Sequence, residues 1–492
     1  MHPAWCMALV ASEELFQLMA IFILNTPTLP SPSKGEGIKG RGKIEGGDAT
    51  SLDGRRKEEV VVSIFHSTFY RRLTMRIKIR IFTIVLAFLI AGITASWVFA
   101  QEVKLGALQD TTGATSDVGK DEALGVREAV QYYNDTGGIN GKKIRLFQYD
   151  YGYRVPEAIT TYKRFRDYDK VAMVLGWGTG DTEALSPTIN ADKMPYLSSS
   201  FSGHLCDPKK TPYNFVYGTD YSTNARGAIT YWFEEVWKKD LKWKALREKG
   251  GKPKFVCFID TASPYATAPI KAIKDQAAIL GFEIGPDNHV GLTALDTKSQ
   301  VIAAKGFGAN LVWHGNTTMS VSAAIKDAYA LGLGADHIIN NWGFDENLPK
   351  LAGPAGEGAM GLIACALFID EYPAKKKVLD YAKKLNPGVP LENRLIRTIQ
   401  GWVKVTLAVE AMKIADKAGK LNGPGIKDAF ETLRNWSGLK EFGGQLVTIT
   451  PTDHRYSSIV RVGRVMKGKP QTVGELDMRA KFPDKWASWL GW

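Results

Sequence analysis

"VKLGALQDTTGATSDVGKDEALGVREAVQYYNDTGGINGKKIRLFQYD", residues 103–150, holds one full unit of the pattern that organises this chain. The apolar run VKLGAL reads as a strand and DEALGVREAVQYYND as a helix stopped by Thr136-Gly137-Gly138. Asn140-Gly141 reads as a turn and KIRLFQYDY as the next strand. The Gly-rich loop between the first strand and its helix raises one alternative, a phosphate cradle. That mechanism needs four residues between its glycines and a hydroxyl residue after its lysine. Here five residues separate Gly113 from Gly119, and Lys120 is followed by Asp121, whose carboxylate repels phosphate. The loop is read instead as a strand-to-helix turn.

Working outward, the unit repeats. Residues 156–168 and 181–193 have helical patterns between the apolar runs VAMVLGW (171–177) and PYLSSS (195–200). After residue 221 the alternation restarts with a long helical stretch over 225–246, then the strand-like KFVCFID, FEIGP, NLVWHG and HIINNWG separated by further helices. Runs that are apolar throughout and joined by helices imply parallel strands covered on both faces. The chain is therefore expected to be α/β, with two doubly wound parallel-sheet lobes. The remainder holds helices over 374–385, 391–419 and 425–433 and strand-like segments at 445–449 and 457–465. In open α/β sheets ligands collect at the carboxyl ends of strands, so two such lobes can face one another across a shared cleft, with the Gly113 turn on one wall.

Composition limits the functional classes. Of 492 residues 45% are hydrophobic and 23% charged, which is ordinary for a globular chain. The formal net charge of +12 is scattered rather than concentrated, and a nucleic-acid partner is not expected. From Met75, Arg76, Lys78 and Arg80 precede an apolar segment over 81–93, and Val98 and Ala100 supply the small residues that a signal peptidase prefers. Residues 75–100 are read as a signal peptide cut after Ala100, which places the protein in the periplasm; the alternative is a retained membrane anchor, since the apolar stretch nearly reaches the roughly 20 residues that span a bilayer. Residues 1–74, rich in Pro, Gly, Ser and Lys over 26–54, are expected to be a non-native or disordered extension, with translation starting at Met75. Cys206, Cys257 and Cys365 show neither metal-ligand spacing nor an even disulfide count, and no cofactor or metal is expected.

The opening stretch, above all GGINGKKI at residues 137–144, together with TPTDHRYSSIVRV at 450–462, resembles the type I periplasmic solute-binding proteins of the branched-chain amino-acid (leucine-binding) class. The similarity runs from about residue 103 to 465. The resemblance implies two lobes joined by three hinge crossings, near residues 217–221, 361–368 and 443–449. One lobe would comprise residues 101–218 and 362–443, the other 219–361 and the return with the C-terminal tail, 444–492. It further implies a solute trapped by hinge closure and delivered to an ABC permease at the inner membrane, with the binding protein itself a monomer.

The same resemblance assigns roles residue by residue. Thr179 would supply the hydroxyl for a ligand carboxylate, Ser200 a backbone carbonyl, Ser202 a hydroxyl with its N–H, and Tyr265 a ring that closes over the ligand. The acidic residue that pairs with an α-ammonium in the family's amino-acid binders is replaced here by Trp342. A buried ammonium without an anionic partner is strongly unfavourable. Either Asp181 or Asp345 stands in, or the ligand has no ammonium. In the second case Trp177, Trp313, Tyr265 and Trp342 suit an aromatic or aliphatic carboxylate or an amide, with His314 beside Trp313 as a further polar contact. Nucleophile, zinc and dinucleotide signatures are absent from the sequence, so the chain is not read as an enzyme. Two other readings are an ectodomain partner of a membrane receptor, sensing the same solute, and an α/β enzyme using the cleft.

Overall fold

The computed structural model describes residues 71, 73–87 and 102–492. Two compact units are present, divided between Trp97 and Val98. In the first, residues 73–87 are an exposed helix that carries Arg76, Lys78 and Arg80 and the start of the apolar segment. The expected cleavage point after Ala100, and residues 1–70 of the expected extension, lie outside the described residues. Among the described residues no helix is long and apolar enough to cross a membrane.

The second unit is built on two sheets. The first contains β1 (Glu102–Gln109), β2 (Lys143–Asp150), β3 (Met173–Gly176), β4 (Tyr196–Ser198) and β5 (Asn214–Val216), in the order β2-β1-β3-β4-β5. Every pairing in it is parallel. Helices α1 (Ser116–Asp135), α2 (Val155–Arg164) and α3 (Thr179–Asp192) make its crossovers. The second sheet contains β6 (Lys254–Ile259), β7 (Glu283–His289), β8 (Leu311–His314), β9 (Asp336–Ile339), β10 (Met360–Leu362), β11 (Ile459–Met466) and β12 (Lys469–Asp477), in the order β12-β11-β10-β9-β8-β6-β7. It is parallel from β7 to β10, and β11 and β12 add an antiparallel hairpin at one edge. Along β6, Phe255, Cys257 and Ile259 enter one core cluster while Val256 and Phe258 enter another, all nearly inaccessible. Successive side chains point to opposite faces, so both faces of this strand are covered, as its unbroken apolar run requires.

The chain passes from the first sheet to the second after β5, entering α4 (Tyr221–Tyr231), which packs on β11. It returns after β10, and α5 (Ile396–Lys417) then packs along α1. The two helices approach through glycines. A Cβ on Gly125 would stand 2.2 Å from Thr398 O and one on Gly401 2.6 Å from Glu122 O. Asp121 takes the N–H groups of Leu395 and Thr398 and the Thr398 hydroxyl, so it caps α5. The residue that spoiled the phosphate-loop reading therefore fixes the helix start of a neighbour.

Three differences from the sequence reading have physical causes. The segment at 445–449 joins neither sheet; it makes a single bridge, Val447 to Trp436. Beyond it, His454 donates its N–H to Cys206 O and stacks on Phe215, so the chain stays beside the first lobe until about Tyr456 and leaves later than residues 443–449. The helix expected over 225–246 breaks near Lys239-Asp240, where Asp240 caps a new short turn.

Candidate functional site

The carboxyl ends of strands from both sheets meet around one small space. Its lining includes the residues that start three helices: Thr115 before α1, Gly178 before α3, and Thr317 before the helix Thr318–Ala330. None of the three caps its own helix with its side chain. First-turn N–H groups carry partial positive charge, so three helix starts converging on one space favour an anionic or electron-rich group there.

The first-lobe wall is fixed by local hydrogen bonding. In the β1–α1 turn the Asp110 carboxylate accepts from Gly113 N (2.6 Å), Thr115 N (2.8 Å) and Thr115 Oγ1 (2.7 Å). Thr115 Oγ1 then accepts from Trp177 Nε1 at 2.9 Å, which holds the indole after β3. Thr179 Oγ1 and Ser200 Oγ lie 2.7 Å apart. Below the floor is a fully buried cation. Lys404 Nζ donates to Gly176 O (2.6 Å), Ser199 Oγ (2.7 Å) and Glu122 Oε1 (3.2 Å), and Tyr217 OH is 2.8 Å from the same carboxylate. Burial pushes the Lys404 ammonium below its ordinary pKa, while Glu122 opposes that shift.

The second-lobe wall is aromatic. Trp342 lies 5.0 Å from Trp177, ring centre to ring centre, in an edge-on arrangement, and donates Nε1 to Tyr221 OH at 2.9 Å. Tyr265 packs edge-on against Tyr221 at 5.4 Å. Behind Trp342 stands Arg397, 5.0 Å from its ring, paired with Asp345 at 3.3 Å. Asp345 also accepts the Thr318 hydroxyl at 2.6 Å, so its charge is already engaged. The lobes also touch directly, because Met319 N donates to Asp117 Oδ2 across the cleft at 3.1 Å. Burial pushes Asp117 up to about 6, against the lowering effect of that N–H. In this closed arrangement the free space is about 20 Å³, room for roughly one water.

Of the residues singled out from sequence, Trp177, Thr179, Tyr265 and Trp342 are brought together around this space. Ser200 supports Thr179 from behind, and Ser202 turns away, its hydroxyl 3.1 Å from Glu183. The floor belongs to Ser199, which the sequence reading passed over. Asp181 sits beside the space, taking the Tyr151 hydroxyl at 2.7 Å, and lines an adjacent opening. His314 is not brought to the site. It faces into the second lobe, 2.9 Å from His337 and edge-on to Phe258, and burial holds its pKa well below the usual range. Trp313 packs on the opposite face of that sheet. Thr115, Tyr153, Tyr221 and Thr317 were also missed. Thr115 and Thr317 are threonines directly ahead of helical patterns, a signal that points to helix starts, whereas Tyr153, in the left-handed region at φ +57°, had no legible signal. Among the described residues no group of three or more His, Cys, Asp or Glu side chains is placed to hold a metal ion.

Two α/β lobes closing strand ends over a shared space define a hinged two-lobe binding protein. The chain matches the periplasmic binding protein family over residues 102–470 and belongs to it. Among relatives, the Leu/Ile/Val-binding protein of Escherichia coli (strain K12) is 22% identical over 315 residues, covering 62% of this chain and 78% of the relative. The crystal structure of an ABC transporter substrate-binding protein from Aeropyrum pernix matches with a TM-score of 0.69 at 28% identity, over 79% of this chain and 99% of the other. A branched-chain amino-acid ABC transporter protein from Thermus thermophilus with bound valine gives 0.70 at 22% identity, over 78% and 99%. The fold is thus the type I periplasmic binding protein fold.

Proposed function

We propose that this protein is the exported substrate-binding component of an ABC importer, which captures a small amino-acid-like or carboxylate solute between its lobes and delivers it, chemically unchanged, to a permease at the inner membrane. The reading includes a monomer in the periplasm, released by cleavage after Ala100. The observation that carries it is the convergence of three helix starts and the Trp177–Trp342 pair, contributed by both lobes, on one space at the strand ends. A solute there touches both walls, so it stabilises the closed form over the open one by its differential contacts. The lining residues include no carboxylate, which favours a carboxylate or amide group of the solute in this central space. Thr179 is assigned to that polar group, Ser200 to holding Thr179, and Tyr265 and Trp342 to the second-lobe cover, while Ser199, its hydroxyl engaged by Lys404, Glu122 and Tyr217, forms the floor.

The test is a thermal-shift panel of branched-chain amino acids, aromatic carboxylates, short-chain acids and amides. A solute at a hundred times its Kd adds about 2.7 kcal/mol to stability by mass action, enough for a clear rise in Tm. A panel in which no solute raises Tm would overturn the reading.

A further inference from the structure

Beside the central space lies a second, larger one with a different lining. It occupies about 420 Å³, within the rough 300–1,000 Å³ range of small-molecule sites, and shares Tyr153 with the central space. Gly180 and Asp181 form its first-lobe wall, and Asp260, Ser263, Pro264 and Leu292 its second-lobe wall. A Cβ on Gly180 would stand 3.3 Å from Pro264 Cγ, so the walls come close there and the compartment takes shape with closure.

Its acidic lining is Asp181 and Asp260, beside the Tyr153 phenol. Asp260 is held by the N–H groups of Ala262 (3.0 Å) and Leu292 (3.1 Å), and no lysine or arginine lines the compartment. Asp181 is 2% exposed; Oδ1 takes the Tyr151 hydroxyl, while Oδ2 is buried and without a hydrogen-bond partner among the described residues. Ser263, 6% exposed on the facing wall, also has a buried hydroxyl, turned towards Tyr153. A buried carboxylate with an unused oxygen is costly. Burial pushes Asp181 up to about 7, although the Tyr151 hydroxyl and the Lys404 charge pull it down.

We propose that this compartment is the cationic half of the solute site: Asp181, aided by Ser263 and Asp260, takes an ammonium group on a ligand whose carboxylate lies in the central space. The inference rests on the solute-binding reading above and deepens it. An ammonium has three donors for Asp181 Oδ2, Ser263 Oγ and Asp260, and its charge offsets the buried carboxylate. The ligand class that follows is an amino acid whose ammonium is separated from its carboxylate along a chain.

The test uses calorimetric titration of the protein with γ-aminobutyrate, δ-aminovalerate and ε-aminocaproate, each against butyrate, valerate or caproate of the same length. At least one amino compound is expected to bind about tenfold or more tightly than its partner, the difference that one charge-assisted contact supplies. Asp181→Asn is expected to collapse that ratio towards one, and Ser263→Ala to reduce it in part, so the proposal stays testable if the first variant does not fold. Equal binding within every pair, an unchanged ratio in both variants, or no binding in either series would overturn the proposal. If branched-chain amino acids or aromatic carboxylates raise Tm while these pairs fail, the solute-binding reading stands and only the ammonium compartment falls.

Discussion

The two walls of the cleft are built differently. The first-lobe wall is a polar platform in which Asp110 sets Thr115, Thr115 sets Trp177, and the Lys404–Glu122 pair sits under Ser199. Its groups are fixed by partners within their own lobe. The second-lobe wall is a layer of rings, and its Trp342 is held by Tyr221 at the edge of the crossing segment and by Arg397 from α5, both outside its own sheet. One wall is thus held wholly within its own lobe, whereas Trp342 on the other also leans on Arg397 from the first lobe. A solute would meet the hydroxyl platform first and gain the aromatic cover as the lobes shut, which is how differential contact becomes hinge closure.

The largest effect expected from this contrast lies under the platform. Lys404→Met leaves Glu122 buried without its cation and is expected to cost about 3–5 kcal/mol, read as a lower denaturant midpoint with an unchanged slope. A cost within about 0.5 kcal/mol of zero would mean the platform is not held by this pair. Next comes the cover. Trp342→Ala removes the Trp177 contact and the Tyr221 bond, and solute affinity is expected to fall by roughly 2 kcal/mol or more, the behaviour of a buried aromatic anchor. The loss should appear mainly as faster release, which stopped-flow displacement measures.

Thr179→Ala is expected to be milder. One hydroxyl contact is worth about 1 kcal/mol, roughly fivefold in Kd, and unliganded Tm should hardly move. Titration calorimetry with no change would remove Thr179 from the site. Smallest of all is the direct touch between the walls. Because burial raises the native pKa of Asp117 from 3.8 to about 6, the native state holds this proton more tightly than the unfolded chain. Its contribution is fully present below the unfolded value and is lost as pH rises through about 6. The side chain is partly exposed, so the effect is about 1 kcal/mol or less, and Asp117→Asn should flatten that part of the stability profile. Asp345 and Arg397 also face this carboxyl with opposing influence and belong in the same titration.

The two sheets were legible in the sequence because parallel strands covered on both faces are apolar throughout, as in FVCFI and LVWH. The hairpin strand β12 was not. Its KPQTVGELD lies at an edge with much of its surface exposed, so neither unbroken hydrophobicity nor strict alternation marks it. Within the site, WGTG was legible because glycines followed a strand and hydroxyls followed the glycines. Which serine of Ser198-Ser199-Ser200 faces the space turned on one residue of register in extended chain, and sequence alone does not fix that. The same period of two carried Trp313 and His314 away, since both lie within β8 and point into the packed faces of its sheet. Tyr153 and Ser263 come from loops whose positions only the assembled lobes determine.

The most direct measurement is a crystal structure of the protein with whichever panel solute raises Tm most. The account predicts electron density between Trp177 and Trp342, in contact with Thr179 and Tyr265, with the lobes held shut around it. Density confined to another surface, such as the groove lined by Lys104, Lys170 and Lys193 on the far side of the first lobe, with the space between the tryptophans unchanged, would contradict it.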